Sequence, residues 1–284
     1  MNIVLLAFGD NLLYHIQAYF CILSLLKYRD EEDTITLYTD APKYYNRFKG
    51  YATVIELTDS MITEWMKDYD YLFRVKLKVM EDSAKKHPDN HLVFIDCDTV
   101  VTSPLSNIKA LLDKGKGIMY NDEGHPSKMK GASLAMWKAL KGKTIEGCVI
   151  SEKHNVWNSG VVGIPHTKVD HVIGLAIQVC DYILETGVKC FTAEQYALSV
   201  AMKEYCKIVP VEKYIIHYWG NKDEWTSLII TFICNSFLKD KSVDQEVKAL
   251  AKVDVDDLPL RVKKSHTLQM ILKVMNALFP DKIE

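Results

Sequence analysis

The chain has 284 residues, 48% of them hydrophobic and 25% charged. That apolar share supplies a core and excludes intrinsic disorder as the main state. Lys+Arg 35 against Asp+Glu 37 gives a net charge of -2, so no global basic excess drives nucleic-acid binding through phosphate neutralisation.

Ile3–Phe8 is a continuous apolar run ending at Gly9-Asp10-Asn11, the pattern of a strand buried on both faces and followed by a turn. Leu12 to Lys27 carries helical spacing through Leu13, Ile16, Phe20, Leu23 and Leu26. Short strands are expected at Thr34–Thr39 and Val54–Leu57. Tyr71 to Lys86 reads as an amphipathic helix with Leu72, Val75, Val79 and Met80 inward and its lysines outward. Leu92–Ile95 is a fourth strand, running straight into Asp96-Cys97-Asp98. Further on, Val156–Ile164 reads as a strand, Val169 to Glu185 and Ala193–Glu204 as helices, and Tyr214–Tyr218 as a strand. From Thr226 the pattern is helical only, with an apolar stripe through Leu268, Ile271, Leu272, Met275, Leu278 and Phe279. Alternating strands and helices predict an α/β fold with a mainly parallel sheet. A composition shift near Asn221 divides the chain into an α/β domain over 1–222 and a helical extension over 223–284.

The seven cysteines are scattered and include no CxxC pair, which argues against a disulfide framework or a zinc ribbon. The N-terminal apolar run lacks the basic flank of a signal peptide, and no stretch reaches the roughly 20 residues of a membrane span. These features lead to the expectation of a cytoplasmic protein.

The acidic pair carries the most chemistry. Asp96 and Asp98 stand where a buried strand reaches the carboxyl edge of the sheet, the edge at which open α/β sheets bind ligands. Alternate residues of extended backbone share a side, so both carboxylates can address one ligand with Cys97 turned away. Hard oxygen donors suit Mg²⁺ or Mn²⁺, and such an ion in turn suits a phosphate-bearing substrate. Asp68-Tyr69-Asp70 and Asp254-Val255-Asp256 repeat the spacing without a preceding apolar strand and read as solvated surface. Three more segments offer polar groups beside apolar strands or at a helix start: Trp157-Asn158-Ser159-Gly160, Glu194-Gln195, and His217-Tyr218-Trp219-Gly220-Asn221-Lys222. The last combines a metal-competent imidazole with a phosphate-competent ammonium. The other eight histidines read as structural.

In this order, these segments resemble the GT-A nucleotide-sugar glycosyltransferases, and most closely the retaining branch of family 8 that includes glycogenin and related bacterial galactosyl- and glucosyltransferases. The resemblance spans roughly residues 2–222. It implies a GT-A-like, Rossmann-like mixed and mainly parallel sheet flanked by helices, and transfer of a hexose from a UDP-sugar to a hydroxyl acceptor with retention. It implies that Ala7, Phe8, Asp10 and Tyr14 hold the nucleoside, and that Arg74, Lys76 and Lys222 meet the diphosphate or sugar. Asp96 would touch ribose and metal, Asp98 and His217 would complete a Mn²⁺ (or Mg²⁺) site, and Asn158, Glu194 and Gln195 would line the donor sugar. The chain departs from the family where His-x-x-Gly-x-x-Lys-Pro-Trp is expected: Lys222 comes one residue early, Asp223 takes the lysine position and no proline follows. Glu194-Gln195 stands where the family writes Asp-Gln. An inverting alternative would draw its base from Glu194 or Asp122.

Other readings weigh less. Asp96-Cys97-Asp98-Thr99-Val100 nearly meets the haloacid dehalogenase phosphatase motif, but that motif normally opens a chain. A catalytically degenerate nucleotide-sugar binder fits the irregular segment around Lys222. No GxGxxG follows a strand, which disfavours dinucleotide redox chemistry. The acceptor would be a glycan or a lipid-linked glycan. In the second case the stripe after Arg261, Lys263 and Lys264 would rest on the inner face of a membrane as a peripheral contact; otherwise it packs on the domain.

Overall fold

A computed structural model describes residues 1–253 and 258–262. In chain order it contains β1 (Asn2–Ala7), α1 (Leu12–Tyr28), β2 (Thr34–Thr39), β3 (Thr53–Glu56), α2 (Asp59–Met66), α3 (Arg74–Lys86), β4 (Leu92–Ile95), β5 (Thr99–Val101) and α4 (Ser106–Asp113). There follow β6 (Gly117–Met119), β7 (Asp122–Gly124), α5 (Ala132–Leu140), β8 (Thr144–Ile145), β9 (Cys148–Val149), β10 (Val156–Trp157) and β11 (Val161–Ile164). The order closes with α6 (Val169–Glu185), α7 (Ala193–Tyr205), β12 (Ile208–Pro210), β13 (Ile215–His217), α8 (Lys222–Leu238) and α9 (Val243–Ala249).

The main sheet runs β12-β6-β11-β4-β1-β2-β3 among the described residues. β1 pairs in parallel with both β2 and β4, and β2 with β3; β11 alone runs against its neighbours β4 and β6. This is the mixed, mainly parallel sheet flanked by helices that the sequence implies. The chain proceeds outward from β1 to β3, then returns to place β4 on the other side of β1. Strand order therefore reverses between β1 and β4, and their carboxyl ends open a crevice.

Both faces of the sheet are covered, which is why its central strands read as unbroken apolar runs. Ile3, Leu5, Val93 and Ile95 face a core shared with α1, α4 and α8. Val4, Leu92 and Phe94 face the opposite core, built with α3, α6 and α7. The period of two is intact in the burial of the strands although hydropathy hides it.

Three short ribbons stand off the main sheet, and two of them shape the crevice. β5 pairs antiparallel with β13, in register Thr99 with His217, so the histidine lands beside the acidic loop that follows β4. β7 pairs with β10. The third ribbon, β8 with β9, lies elsewhere.

The C-terminal helices close over α1. Gln17 Nε2 donates to Thr226 Oγ1 at 3.1 Å, Phe20 meets Phe232 edge-on at 5.4 Å, and Tyr19 Oη donates to Glu246 at 2.8 Å. Residues 258–262 run beside Gly220: Asn221 Nδ2 donates to the Pro259 carbonyl at 2.7 Å and the Arg261 guanidinium lies 4.6 Å from the Trp219 ring. The stripe from Leu268 to Phe279 and the Asp254–Asp256 pair lie outside the described residues. Among those described, no helix is long and apolar enough to cross a membrane.

Candidate functional site

The loop leaving β4 carries Asp96, Cys97 and Asp98. The Asp96 amide donates to the Gly160 carbonyl at 2.8 Å, and the Tyr218 amide donates to the Asp98 carbonyl at 3.1 Å. The loop is thus clamped on one side by the segment entering β11 and on the other by the residue after β13. Cys97 turns away, as extended backbone requires, and its Sγ donates to the Leu6 carbonyl at 3.2 Å. Burial pushes the Cys97 thiol well above the ordinary range, so it stays protonated.

Asp98 is buried, with Oδ1 3.3 Å from His217 Nε2 and Oδ2 2.7 Å from Lys222 Nζ. Burial raises the Asp98 carboxyl, but His217 and Lys222 together outweigh it and hold it well below the usual carboxylate range. Asp96, Asp98 and His217 offer ligand atoms that all lie within 4.8 Å of one another. Two carboxylates and an imidazole from separate elements form a donor set that suits a hard or borderline divalent cation. The residues fit such an ion in a second respect: Asp98 draws a neighbouring cation from Lys222 and a ring nitrogen from His217 at the same point.

A second cluster adjoins the first. Lys76 Nζ, buried, lies 3.2 Å from Asp96 Oδ1 and 3.1 Å from Glu194 Oε1, and donates to the Ser159 carbonyl at 2.8 Å. Burial pushes Lys76 down, yet Asp96 and Glu194 outweigh it and leave the ammonium above its ordinary value. Burial pushes Glu194 up; Lys76 opposes this and Asp96 reinforces it, with a net upward shift. Glu194 lies in the first turn of α7, where the backbone dipole favours a carboxylate. The Glu194 amide donates to Tyr71 Oη at 3.1 Å, which donates in turn to the Phe191 carbonyl at 2.9 Å.

Asn158 and Gln195 meet at Glu123, on β7. Asn158 Nδ2 donates to Glu123 Oε1 at 3.0 Å and Gln195 Nε2 donates to Oε2 at 2.9 Å. Asn158 Oδ1 accepts from the Gly160 amide at 3.0 Å and faces His217 Nδ1 at 3.0 Å. Gly160 is glycine for a packing reason: a Cβ there would overlap Cε1, Nδ1 and Nε2 of the His217 ring.

At the other lip of the crevice, Ala7 is buried at the end of β1, Phe8 is half-buried and Asp10 is exposed in the turn. Tyr14 is 45% exposed on α1. Asp96, Asp98, His217, Lys222, Lys76, Glu194, Gln195 and Asn158 are therefore joined in one network, Gln195 through Glu123 and Asp96 by lying within 4.8 Å of Asp98 and His217. Arg74 is not. Its guanidinium is buried against Asp181 of α6, at 2.6 Å from Nε to Oδ1 and 3.0 Å from Nη2 to Oδ2, and its Nη1 donates to the Trp65 carbonyl. The side chain is spent on joining α3 to α6, which corrects the expectation that it meets a donor.

Two other expectations change. Leu72, expected inward, is 49% exposed and lies before α3 begins, and of the helix's lysines, several of them expected outward, Lys76 is buried. Glu123 and Tyr71 carry no sequence signal that marks them, whereas Ser159 stands out in the sequence as the hydroxyl of the Trp157-Asn158-Ser159-Gly160 segment. Ser159 and Tyr71 act here through a carbonyl and a hydroxyl whose placement depends on contacts more than eighty residues away.

No family model matches the sequence, and no curated protein matches it. Among solved structures the chain is similar to the galactosyltransferase LgtC in complex with donor and acceptor sugar analogs, at 15% identity and a TM-score of 0.49, covering 74% of this chain and 73% of that one. It is also similar to mouse xyloside xylosyltransferase 1 in its apo form, at 12% identity and a TM-score of 0.47, covering 74% of this chain and 85% of that one.

Proposed function

We propose that this chain is a metal-dependent glycosyltransferase that moves a hexose from a UDP-sugar to a hydroxyl acceptor, with retention, in the manner of the family 8 enzymes. The observation that carries the reading is the convergence of Asp96, Asp98 and His217 within 4.8 Å at the carboxyl end of β4, where strand order reverses. Alone, a DxD is a weak signal. A third metal-competent side chain, His217, delivered by the β5–β13 ribbon supports reading it as a site.

In this reading residues 1–222 hold the chemistry and 223–284 form a helical extension that supports them. Asp96, Asp98 and His217 hold Mn²⁺ or Mg²⁺, which when bound stabilises negative charge on the departing diphosphate. Lys222, 45% exposed and now resting on Asp98, is free to turn toward the same diphosphate. Lys76 keeps Asp96 and Glu194 from repelling one another. Ala7, Phe8, Asp10 and Tyr14 line the nucleoside side of the crevice, and Asn158, Glu194 and Gln195 the sugar side. Glu194 is buried beside a cation, so it accepts or donates a hydrogen bond at a sugar hydroxyl without meeting bulk water. The acceptor is a glycan or a lipid-linked glycan.

The test is a calorimetric titration of UDP with and without Mn²⁺, on wild type and on Asp98→Asn. Binding that requires Mn²⁺ and is lost in the variant is the expected result. Folded wild-type protein that binds no UDP in either condition overturns the reading. Retention is tested separately: a β-linked product from an α-linked donor, identified by NMR, would sink it.

A further inference from the structure

Large apolar side chains stand in water on one lip of the crevice. Phe191, on the loop before α7, is 73% exposed; Phe73, the residue before α3, is 37% exposed and follows the exposed Leu72. The two phenyl rings meet edge to face at 4.5 Å and 72°, and the Tyr71 ring joins Phe73 at 5.7 Å. Single exposed apolar residues are ordinary, but a group of them rimmed by polar atoms marks a binding surface. Topology puts this group where the proposed chemistry is. α3 leads into β4 and α7 leads into β12, and the two strands run in the same direction in the sheet. Both helices therefore start at the carboxyl edge, where such sheets bind ligands. Hydrogen bonds then fix the group to the crevice. Tyr71 Oη accepts from the Glu194 amide at 3.1 Å and donates to the Phe191 carbonyl at 2.9 Å, and Glu194 Oε1 lies 3.1 Å from Lys76 Nζ.

We infer that Phe73, Phe191 and Tyr71 form an acceptor platform, and that the acceptor is a glycan presenting a neutral pyranose, which stacks there. The inference rests on the glycosyltransferase reading and gives its acceptor a chemistry. A pyranose is amphipathic: one face is a patch of C–H bonds that settles on the negative face of an aromatic ring, and its rim is hydroxyls. Two phenyl rings nearly at right angles offer such a sugar a floor and a wall. The Tyr71 hydroxyl and the Phe191 carbonyl each keep a further lone pair for a sugar hydroxyl, the sparse polar contacts that orient a ligand on an apolar surface. An acyl chain has no use for those lone pairs. Charge favours a neutral ring: the neighbouring cations are already paired, Arg74 and Lys67 with Asp181 and Lys76 with Asp96 and Glu194. A sugar on the platform stands one residue from Glu194, on the side of the crevice assigned to the donor sugar.

The experiment uses the full chain with Phe191→Ala, Phe191→Leu and Phe191→Trp. Circular dichroism checks folding, with Phe73→Ala as the substitute if Phe191→Ala does not fold. The probes are the methyl α- and β-glycosides of glucose, galactose, mannose, xylose and N-acetylglucosamine, with lactose, maltose and cellobiose. Binding is read by saturation-transfer NMR into the tens of millimolar, with Mn²⁺ and UDP present, and UDP affinity is read separately by calorimetry. At least one glycoside is expected to bind wild type. It should bind Phe191→Ala and Phe191→Leu roughly tenfold more weakly and Phe191→Trp as well as wild type, with UDP affinity equal in all four proteins. Equal glycoside affinity in wild type and Phe191→Ala, or no glycoside bound by wild type, overturns the platform; continued UDP binding then leaves the glycosyltransferase reading intact. Affinity kept in Phe191→Leu would mean apolar contact without stacking and also overturns it. So would flotation of wild type, but not of Phe191→Ala, with phosphatidylcholine vesicles, which would assign the patch to a lipid surface. If wild type binds no UDP the functional reading fails, and the glycoside titrations repeated without UDP still decide whether the rings hold a sugar.

Discussion

A methyl group at Gly160 would occupy space held by the His217 ring. Gly160→Ala is therefore expected to displace the imidazole and to cost about 1–3 kcal/mol through overpacking. Mn²⁺ affinity should fall at least tenfold, more than the stability loss alone accounts for. Calorimetry and a urea titration on one preparation check both, and full metal affinity in the variant would place the ring elsewhere. At this scale the convergence of Asp96, Asp98 and His217 was legible in the sequence, because Asp96 and Asp98 follow one apolar strand and His217 ends another. Lys76 was not. It sits on a helix whose other lysines are solvated, and only carboxylates from β4 and α7 make its burial tolerable. Glu123 was hidden for a similar reason: Asp122-Glu123-Gly124 has no apolar period to mark it as a strand, and its partners lie 35 and 72 residues away.

Between elements, two contacts bear the most weight. Arg74 of α3 makes a two-pronged bond to Asp181 of α6, to which Lys67 also donates at 2.6 Å. Burial raises the Asp181 carboxyl, but Arg74 and Lys67 outweigh it and leave it below its ordinary value. A carboxylate lowered on folding stabilises above its unfolded value, about 3.9, and loses that contribution as pH falls through the folded one. Asp181→Asn should destabilise by about 3–5 kcal/mol at neutral pH, since it strands Arg74. The gap to wild type should narrow below about pH 4, as a pH series of guanidinium titrations would show. The second contact is Trp225 of α8, fully buried and stacked on Tyr218 at 4.7 Å and 6°. Trp225→Ala should cost about 3–5 kcal/mol in the same assay. A cost under about 1 kcal/mol would mean that the C-terminal helices fold apart from the sheet. The long periodic elements α1, α6 and α7, and the apolar strands β1, β2 and β4, were legible from pattern alone. The expected strand over Val156–Ile164 is two strands, because Asn158 Oδ1 captures the Gly160 amide and turns the chain there. The strand β13 falls within the expected Tyr214–Tyr218, whereas β5 and β7 are three residues each, their pairing is set by distant partners, and no local period announces them.

At the scale of the whole molecule, the reversal of strand order between β1 and β4 brings together groups from opposite ends of the chain: Tyr14 on one lip, Asp98 at the base, Lys222 on the other. A ligand bridging them should stabilise the folded state as a whole. With Mn²⁺ and UDP together at about 100 times the dissociation constant, the gain is about 2.7 kcal/mol. For a chain of this size that is a rise in melting temperature of roughly 5–10 °C. Thermal melts should show this rise for the pair and little for UDP alone; an equal rise with UDP alone would remove the metal from the site. The resting place of Lys222 on Asp98 has one more consequence. Asp96, Asp98 and Glu194 face two ammonium groups, Lys76 and Lys222, so the crevice already carries internal counterions. In the proposed reading a dication and the two negative charges of a diphosphate diester would enter as an electroneutral package, so loading would leave the local charge unchanged. Transfer would then release a diphosphate with one further negative charge as the acceptor hydroxyl gives up its proton, and Lys222, already paired with Asp98, is the cation placed to take up that charge until the product leaves.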